Sequence, residues 1–436
     1  MVAVASKKRP TAPPGPRDPA LSQAIRFHRH PLGVLRRCQE RFGSVFELRL
    51  AVTGPTVVVA DPEAVESLLE GDPGRARAGD ARRAVLPMAS PHSVLGGDGE
   101  DHRSARGRLA PLFAPEAIAA QRPAMTEIAR RHARGWPRGR PIQLLSRIRT
   151  LVDDVFVRLL LGVEDERRAQ ALVDALGAAL RTPGNPPLSP PGEGDGTLGA
   201  VGQRIFESRK RPLERLLAKE VEARRGSGAH GEDVLGRLLA AELSTERILE
   251  EVVTLMMAAQ EPPSIALTWT VERLARHPAL AADYLAAAGD APFREAVFRE
   301  TLRLRPSALA VLRRLDEPLE AAGHLLPAGT TAMVPLPLLH RDPRFFSDPE
   351  RFRPQRWIEK GPAPSVYLPF GGGARRCLGE ALAQAEAEAI VPTVLSELRL
   401  RPLWPREERM VLRGTVLVPH RSVPALVGPG DRFAAG

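Results

Sequence analysis

Apolar residues in this chain recur mostly at helical spacing. Between Ser244 and His277, Ile248, Val252, Leu255 and Met256 fall three or four apart, behind Ser244 or Thr245 as N-cap. The spacing predicts one long helix. The same periodicity predicts helices over 115–136, over 144–162, from about Pro292 to Arg305, and from Gly379 to Leu398. Strand patterning is confined to small pieces near both ends. The clearest, SVFELRLAVTGPTVVVA (44–60), reads as two strands around a Gly54-Pro55 turn. The expected fold class is mainly α with small β-sheets, without internal repeats.

Two interruptions stand out. Pro262 and Pro263 sit in the middle of the long predicted helix, where each removes a backbone donor at about 3 kcal/mol or more. Residues 182–199, TPGNPPLSPPGEGDGTLG, read as a mobile lid loop between helices. Gly194, Gly196 and Gly199 within it match the dinucleotide-binding spacing. No strand precedes them, so the match is a decoy.

With 436 residues, 43% hydrophobic and 26% charged, the chain has ample material for a large core. Its start, MVAVASKKRPTAPPGPRDP, has no long apolar run, which argues against a signal peptide or membrane anchor. The expectation is a flexible Pro-rich arm over 1–20 and a single domain over 21–436, cytoplasmic and monomeric. Two cysteines, Cys38 and Cys377, suit a reducing compartment. The net charge of +10 raises nucleic acid as a partner. The arginines are scattered along amphipathic helices, with no basic tract interleaved with aromatics. An acidic protein partner and no nucleic acid is the reading that follows.

The most specific stretch is PFGGGARRCLGEALAQAEAEAI. Three glycines let the backbone approach another group closely or take positive φ. Two arginines and a helix start flank Cys377, and both are expected to lower a thiol's pKa. A lone thiolate lacks the four ligands that zinc requires. It suits an axial position on haem iron. Cys38 is expected to be an ordinary packed thiol.

Phe370, Gly373, Arg375, Cys377 and Gly379 spell F-x-x-G-x-R-x-C-x-G, which resembles the haem-binding signature of the cytochrome P-450 superfamily. Glu300 and Arg303 resemble the family's E-x-x-R pair. Phe352, Pro354 and Arg356 resemble the segment that completes a buried structural triad of Glu300, Arg303 and Arg356. The resemblance spans nearly the whole chain after the N-terminal arm. It implies a triangular single domain with the long helix crossing the haem, and haem b bound by Cys377.

Haem's two propionates need cations or donors. His102 and Arg106 lie four apart on one predicted helix face and resemble the family's H-x-x-x-R. Arg313 resembles a propionate-binding arginine of the strand after the E-x-x-R helix, with Arg314 as its rival. Arg375 precedes the cysteine by two. Phe370, Gly371 and Gly379 complete the expected cofactor contacts.

On the distal side the family's pattern is small-Gly-x-acid-Thr. Ala258, Ala259, Gln260, Glu261 and Pro262 occupy those places here, so the acid is kept and the threonine is lost. One expectation is that the prolines fix a widened kink. The carbonyls of Ala258 and Ala259, with water, Glu261 and Ser264, would then replace the threonine. The plain alternative is a simple helix break.

The resemblance implies a monooxygenase that hydroxylates or epoxidises an apolar small molecule, a terpenoid or polyketide of secondary metabolism among the candidates. O2 and electrons from a ferredoxin and its NAD(P)H reductase would drive it. A peroxide-driven oxidation, rearrangement or coupling is the alternative that the missing threonine raises. A non-catalytic haem or ligand-binding protein is the alternative of another class. The pocket is expected to be aliphatic, lined by 75–100, Leu255 to Ala259, the Pro/Gly-rich segment and SALAVL after Pro306. Arg83, Met88 and His92 are candidate contacts in the first of these, with solvent exposure as the plain alternative.

Overall fold

The computed structural model describes residues 11–50, 53–71, 74–86, 89–180, 197–228, 231–287, 291–359, 361 and 365–428. Its organising element is the 32-residue central helix Thr245–Arg276, about 48 Å long at 1.5 Å per residue. Ser244 caps its start by accepting the Arg247 N–H. Buried residues occur on all sides of this helix, as befits a helix enclosed by others. It packs against Leu144–Val155, Ala291–Leu304 and Glu380–Glu397, and the last of these packs against Pro115–Arg134.

β-Structure lies at the margin. Val45–Leu50, Gly54–Val59, Thr331–Pro335, Ala310–Leu315 and Ala76–Arg77 form a five-stranded sheet in that order. Within this sheet only the Gly54–Val59 and Thr331–Pro335 pair is parallel. A hairpin of Met410–Arg413 and Val416–Pro419 lies elsewhere, against the helix Ala20–Arg29. The architecture is therefore mainly helical with small sheets, as the periodicity predicts.

Four expectations need correction or restriction. Residues 11–19 are not a loose arm. Thr11 exchanges backbone hydrogen bonds with the segment around Gly323 and Leu325, and Glu47 N–H donates to the Pro14 carbonyl at 2.8 Å. A Cβ on Gly15 would sit 2.3 Å from the Glu47 carbonyl oxygen, so close backbone contact fixes this segment. Residues 1–10 lie outside the described residues. So does most of the proposed lid, 182–199, of which residues 197–199 begin the helix Thr197–Ser227. The predicted 144–162 helix is α-helical to Val155 and then widens into a π-helical turn, Phe156–Leu160.

The fourth concerns Pro262 and Pro263. The central helix runs through them as a continuous α-helix, with no widened turn at that point. The lost donors still leave Ala258 and Ala259 without their usual intrahelical N–H partners. The Pro262 carbonyl instead accepts the Ser307 hydroxyl at 2.7 Å.

Candidate active site

Beneath the central helix lies a cavity of about 1710 Å³. Three parts of the chain meet on it: Ala258–Pro263 of the central helix, the loop Pro369–Gly372, and Arg375–Gly379 with Cys377. The loop's course depends on glycine. Gly371 and Gly373 have φ of +68° and +63°, a region that side-chain-bearing residues avoid. A Cβ on Gly373 would lie 2.2 Å from the Leu69 carbonyl oxygen. Cys377 N–H donates to the Phe370 carbonyl at 2.8 Å, closing the loop. Gly379 then precedes the helix Glu380–Glu397.

The Cys377 side chain opens into the cavity while protein encloses it elsewhere. Burial pushes its thiol above the ordinary value. The Gly379 amide, Arg82 and Arg106 oppose that rise without reversing it. The flanking cations and helix start therefore do not lower the thiol by themselves, because desolvation outweighs them. A metal cation on the sulfur would supply the missing compensation, since coordinated thiols are deprotonated. Among the described residues no cluster of three or more His, Cys, Asp or Glu could hold a metal ion. A single soft donor in a large cavity fits haem b, which would bring the iron's further ligands with it.

The expected propionate partners line the same cavity. His102 is 5% exposed. Burial, then Arg375 and Arg106, lowers its pKa to about 4, so the ring is neutral near pH 7. Arg106 donates to the Arg376 carbonyl at 2.9 Å. Arg375 donates to the Gly97 carbonyl and to Asp98, both at 2.7 Å. Arg313 is fully buried on the strand Ala310–Leu315 and donates to the Leu312 carbonyl, whereas its rival Arg314 is exposed and reaches Thr331. Strand alternation decides between them. Four cavity-lining cationic or donor side chains around one thiol fit a dicarboxylate macrocycle.

The distal residues divide. Ala258, Ala259, Gln260, Glu261, Pro262 and Pro263 line the cavity. Ser264 does not, and its buried hydroxyl has no hydrogen-bond partner. One residue past the cavity-facing pair, the helix has turned Ser264 into the core. Glu261 is paired with Arg149, and the buried Gln260 amide donates to Asp153 at 2.7 and 2.9 Å. Ser307, unremarked in the sequence apart from its segment, lines the cavity beside Pro262. In the loop over 75–100, Val85, Leu86, Ala89, Val94 and Leu95 line the cavity. Arg83 instead bonds Asp80 and the Gly96 carbonyl, His92 faces Asp101 at 3.5 Å near the surface, and Met88 lies outside the described residues. Cys38 is a buried thiol outside the cavity lining.

Behind the loop, Glu300, Arg303 and Arg356 meet in the core. Glu300 and Arg303 are 0% exposed and share two bonds of 2.9 Å. The remaining Arg303 donors go to the carbonyls of His340, Pro349 and Arg351. Glu300 also accepts from Arg353 N–H, Arg356 and the Trp357 indole. Burial alone would raise its carboxyl, but the Arg303 bonds and charge hold it below the usual range. His340, which sequence reasoning missed, joins this cluster to the cysteine segment: its Nε2 accepts the Leu368 N–H at 3.0 Å.

Comparison with known proteins agrees with this geometry. The family profile described as Cytochrome P450 matches residues 13–424. Cytochrome P450 135B1 of Mycobacterium tuberculosis is 33% identical over 435 residues, covering 94% of this chain and 90% of the relative. Cytochrome P450 138 of Mycobacterium bovis is 30% identical over 427 residues, covering 93% and 94%. The retinoic acid-bound cyanobacterial CYP120A1 superimposes with a TM-score of 0.81 at 22% identity, over 96% of this chain and 99% of that one. A six-coordinated cytochrome P450 from Thermus thermophilus gives 0.70 at 26% identity, over 91% and 98%. With the cysteine loop, the cation set and the enclosing helices on one cavity, the chain belongs to the cytochrome P450 family of haem b oxidoreductases, the monooxygenases.

Proposed function

We propose that this protein hydroxylates or epoxidises a largely apolar small molecule, using O2 and electrons from a ferredoxin and its NAD(P)H reductase. The observation that carries the reading is the shared cavity. The Cys377 sulfur, the Ala258–Pro263 face and a largely apolar wall all open onto it. Bound haem supplies the oxygen-activating chemistry. In the proposal, Cys377 binds the iron. His102, Arg106, Arg313 and Arg375 hold the propionates, and Phe370, Gly371 and Gly379 pack the loop against the macrocycle. Glu300, Arg303 and Arg356 brace that loop from behind. Val85, Leu86, Leu95, Leu255 and Val311 exclude water and favour an apolar substrate.

Proton delivery falls to the groups that face the cavity where the threonine is missing. We assign it to the Ser307 hydroxyl, held on the Pro262 carbonyl, and to the Glu261 carboxylate paired with Arg149. Exposed Arg376, next to Cys377 in the chain, is tied to Glu380 at 2.6 Å. It supports docking of an acidic electron carrier. No helix among the described residues is long and apolar enough to cross a membrane. The proposed setting is the cytoplasm, with the described residues 11–428 as one catalytic domain.

A second reading, peroxide-driven oxidation, is favoured by one observation: Pro262 replaces the alcohol. The two are separated by feeding the holoenzyme either NADH with a ferredoxin and its reductase, or hydrogen peroxide. Product from the first supports the proposal. Product from peroxide alone replaces it, and no product from either favours a binding protein.

A further inference from the structure

Basic side chains gather at one exposed end of the cavity. Two separate elements meet there, the C-terminal end of the helix Ala20–Arg29 and the hairpin Met410–Arg413/Val416–Pro419, and they pack together. The first contributes His28, Arg29 and His30 to the cavity lining, and the second brings Arg409, Arg413 and His420. All six are exposed. Arg409 approaches His420 Nε2 at 3.3 Å, and Arg413 donates to the His420 carbonyl at 3.4 Å, so His420 draws the two guanidinium groups to one place.

Among the described residues, acids are missing from this rim. The acidic side chains of the cavity lining are Glu261 and Glu386. Glu261 is paired with Arg149, and Glu386 is 1% exposed on the helix that follows the cysteine. Nearby acids are committed elsewhere: Asp18 binds Arg26 at 2.9 Å, and buried Glu408 accepts the Arg421 N–H at 2.9 Å. A cluster of like charges at a cavity mouth raises the local concentration of anions. Arginine forks in particular suit a carboxylate.

We propose that this rim is an anion subsite and that the substrate is an amphipathic acid. Its apolar body fills the aliphatic wall and its carboxylate rests on Arg29, Arg409 and Arg413 at the mouth. The inference rests on the monooxygenase reading for its orientation, with the oxidised carbons lying away from the acid group. It narrows the substrate class beyond apolarity.

The test uses purified holoenzyme and three probes of matched chain: dodecanoate, methyl dodecanoate and dodecan-1-ol. Affinities are read by calorimetry and by the Soret shift at low ionic strength. Dodecanoate is expected to bind about tenfold tighter than the ester, as two or three exposed charge contacts allow. High salt closes the gap. The combined variant Arg29→Gln, Arg409→Gln, Arg413→Gln brings acid and ester to parity without weakening the ester. Arg401→Gln, at an exposed strand position outside the cavity lining, leaves the preference intact. The proposal is overturned if the acid fails to bind, if ester or alcohol binds as tightly, or if the preference persists in the triple variant. A carboxylate preference seen by calorimetry in protein whose ferrous–CO spectrum lacks the thiolate band would strike the haem-thiolate reading and leave the rim standing.

Discussion

Replacing Glu300 by glutamine isolates what holds the cysteine segment in place. Arg303 uses all five guanidinium donors, two on Glu300 and three on carbonyls, and both side chains are 0% exposed. The substitution keeps the shape and removes the carboxylate that balances this cation and Arg356. Breaking a buried pair by removing one partner costs about 3–5 kcal/mol, because the other charge stays buried and uncompensated. A surface i,i+3 pair would cost only a few tenths of a kcal/mol. Urea unfolding of Glu300→Gln, with haem content measured in parallel, is expected to show a loss of about 3–5 kcal/mol and poor haem retention. Glu300→Gln/Arg303→Leu should recover part of the stability, since it removes the stranded charge. A single variant within about 1 kcal/mol of the parent, with full haem content, would refute the reasoning.

Other consequences follow from buried groups. His340 is fully enclosed, and burial, then Arg341 and Arg303, lowers its pKa from 6.5 to about 3. The unfolded chain therefore binds the extra proton first, so stability holds above pH 6.5 and falls as pH drops toward 3. By about pH 5 the loss from this residue is about 2 kcal/mol, and His340→Gln should flatten that slope in urea titrations. Glu251 lies in the central helix, accepts the Val94 N–H at 3.0 Å, and is raised by burial from 4.5 to about 7. Its protonated form is the folded state's preference, so stability is lost as pH rises from 4.5 to about 7. Glu251→Gln should gain about 3 kcal/mol above that pH, and an unchanged thermal midpoint at about pH 8, one unit above the folded value, would count against it. Ser307→Ala should lower product formed per NAD(P)H consumed, and Ser307→Ala/Pro262→Thr should restore it. An unaltered ratio in Ser307→Ala removes that hydroxyl from proton delivery.

Much of the site was legible because it is local. The loop from Phe370 to Gly379 needs glycine at positive φ and a thiol beside a helix start, and neighbouring residues specify both. The helices were legible through their buried faces, and the long one through its cap at Ser244. What stayed hidden depends on contacts between distant segments. Asp98 meets Arg375 across 277 positions and Arg149 meets Glu261 across 112. His340 receives the Leu368 amide across 28. No local pattern announces such pairs. The sequence favoured Arg313 over its neighbour Arg314 only by resemblance, and the sheet shows that Arg313 is the one facing inward. Flanking charge pointed to a lowered Cys377 thiol, yet burial, which only the fold sets, decided the direction. The Pro-rich segment at 11–19 read as loose because its partners, Glu47 and Leu325, lie in strands that sequence alone does not bring beside it.

The most direct measurement is the absorption spectrum of the reduced, haem-loaded protein under carbon monoxide, taken for the parent and for Cys377→Ser. The parent should show the strongly red-shifted Soret band of thiolate-ligated haem, and the variant should lose it. A parent spectrum with the unshifted band of a nitrogen-ligated haem, or a red-shifted band that survives in Cys377→Ser, would contradict the assignment of this sulfur to the iron.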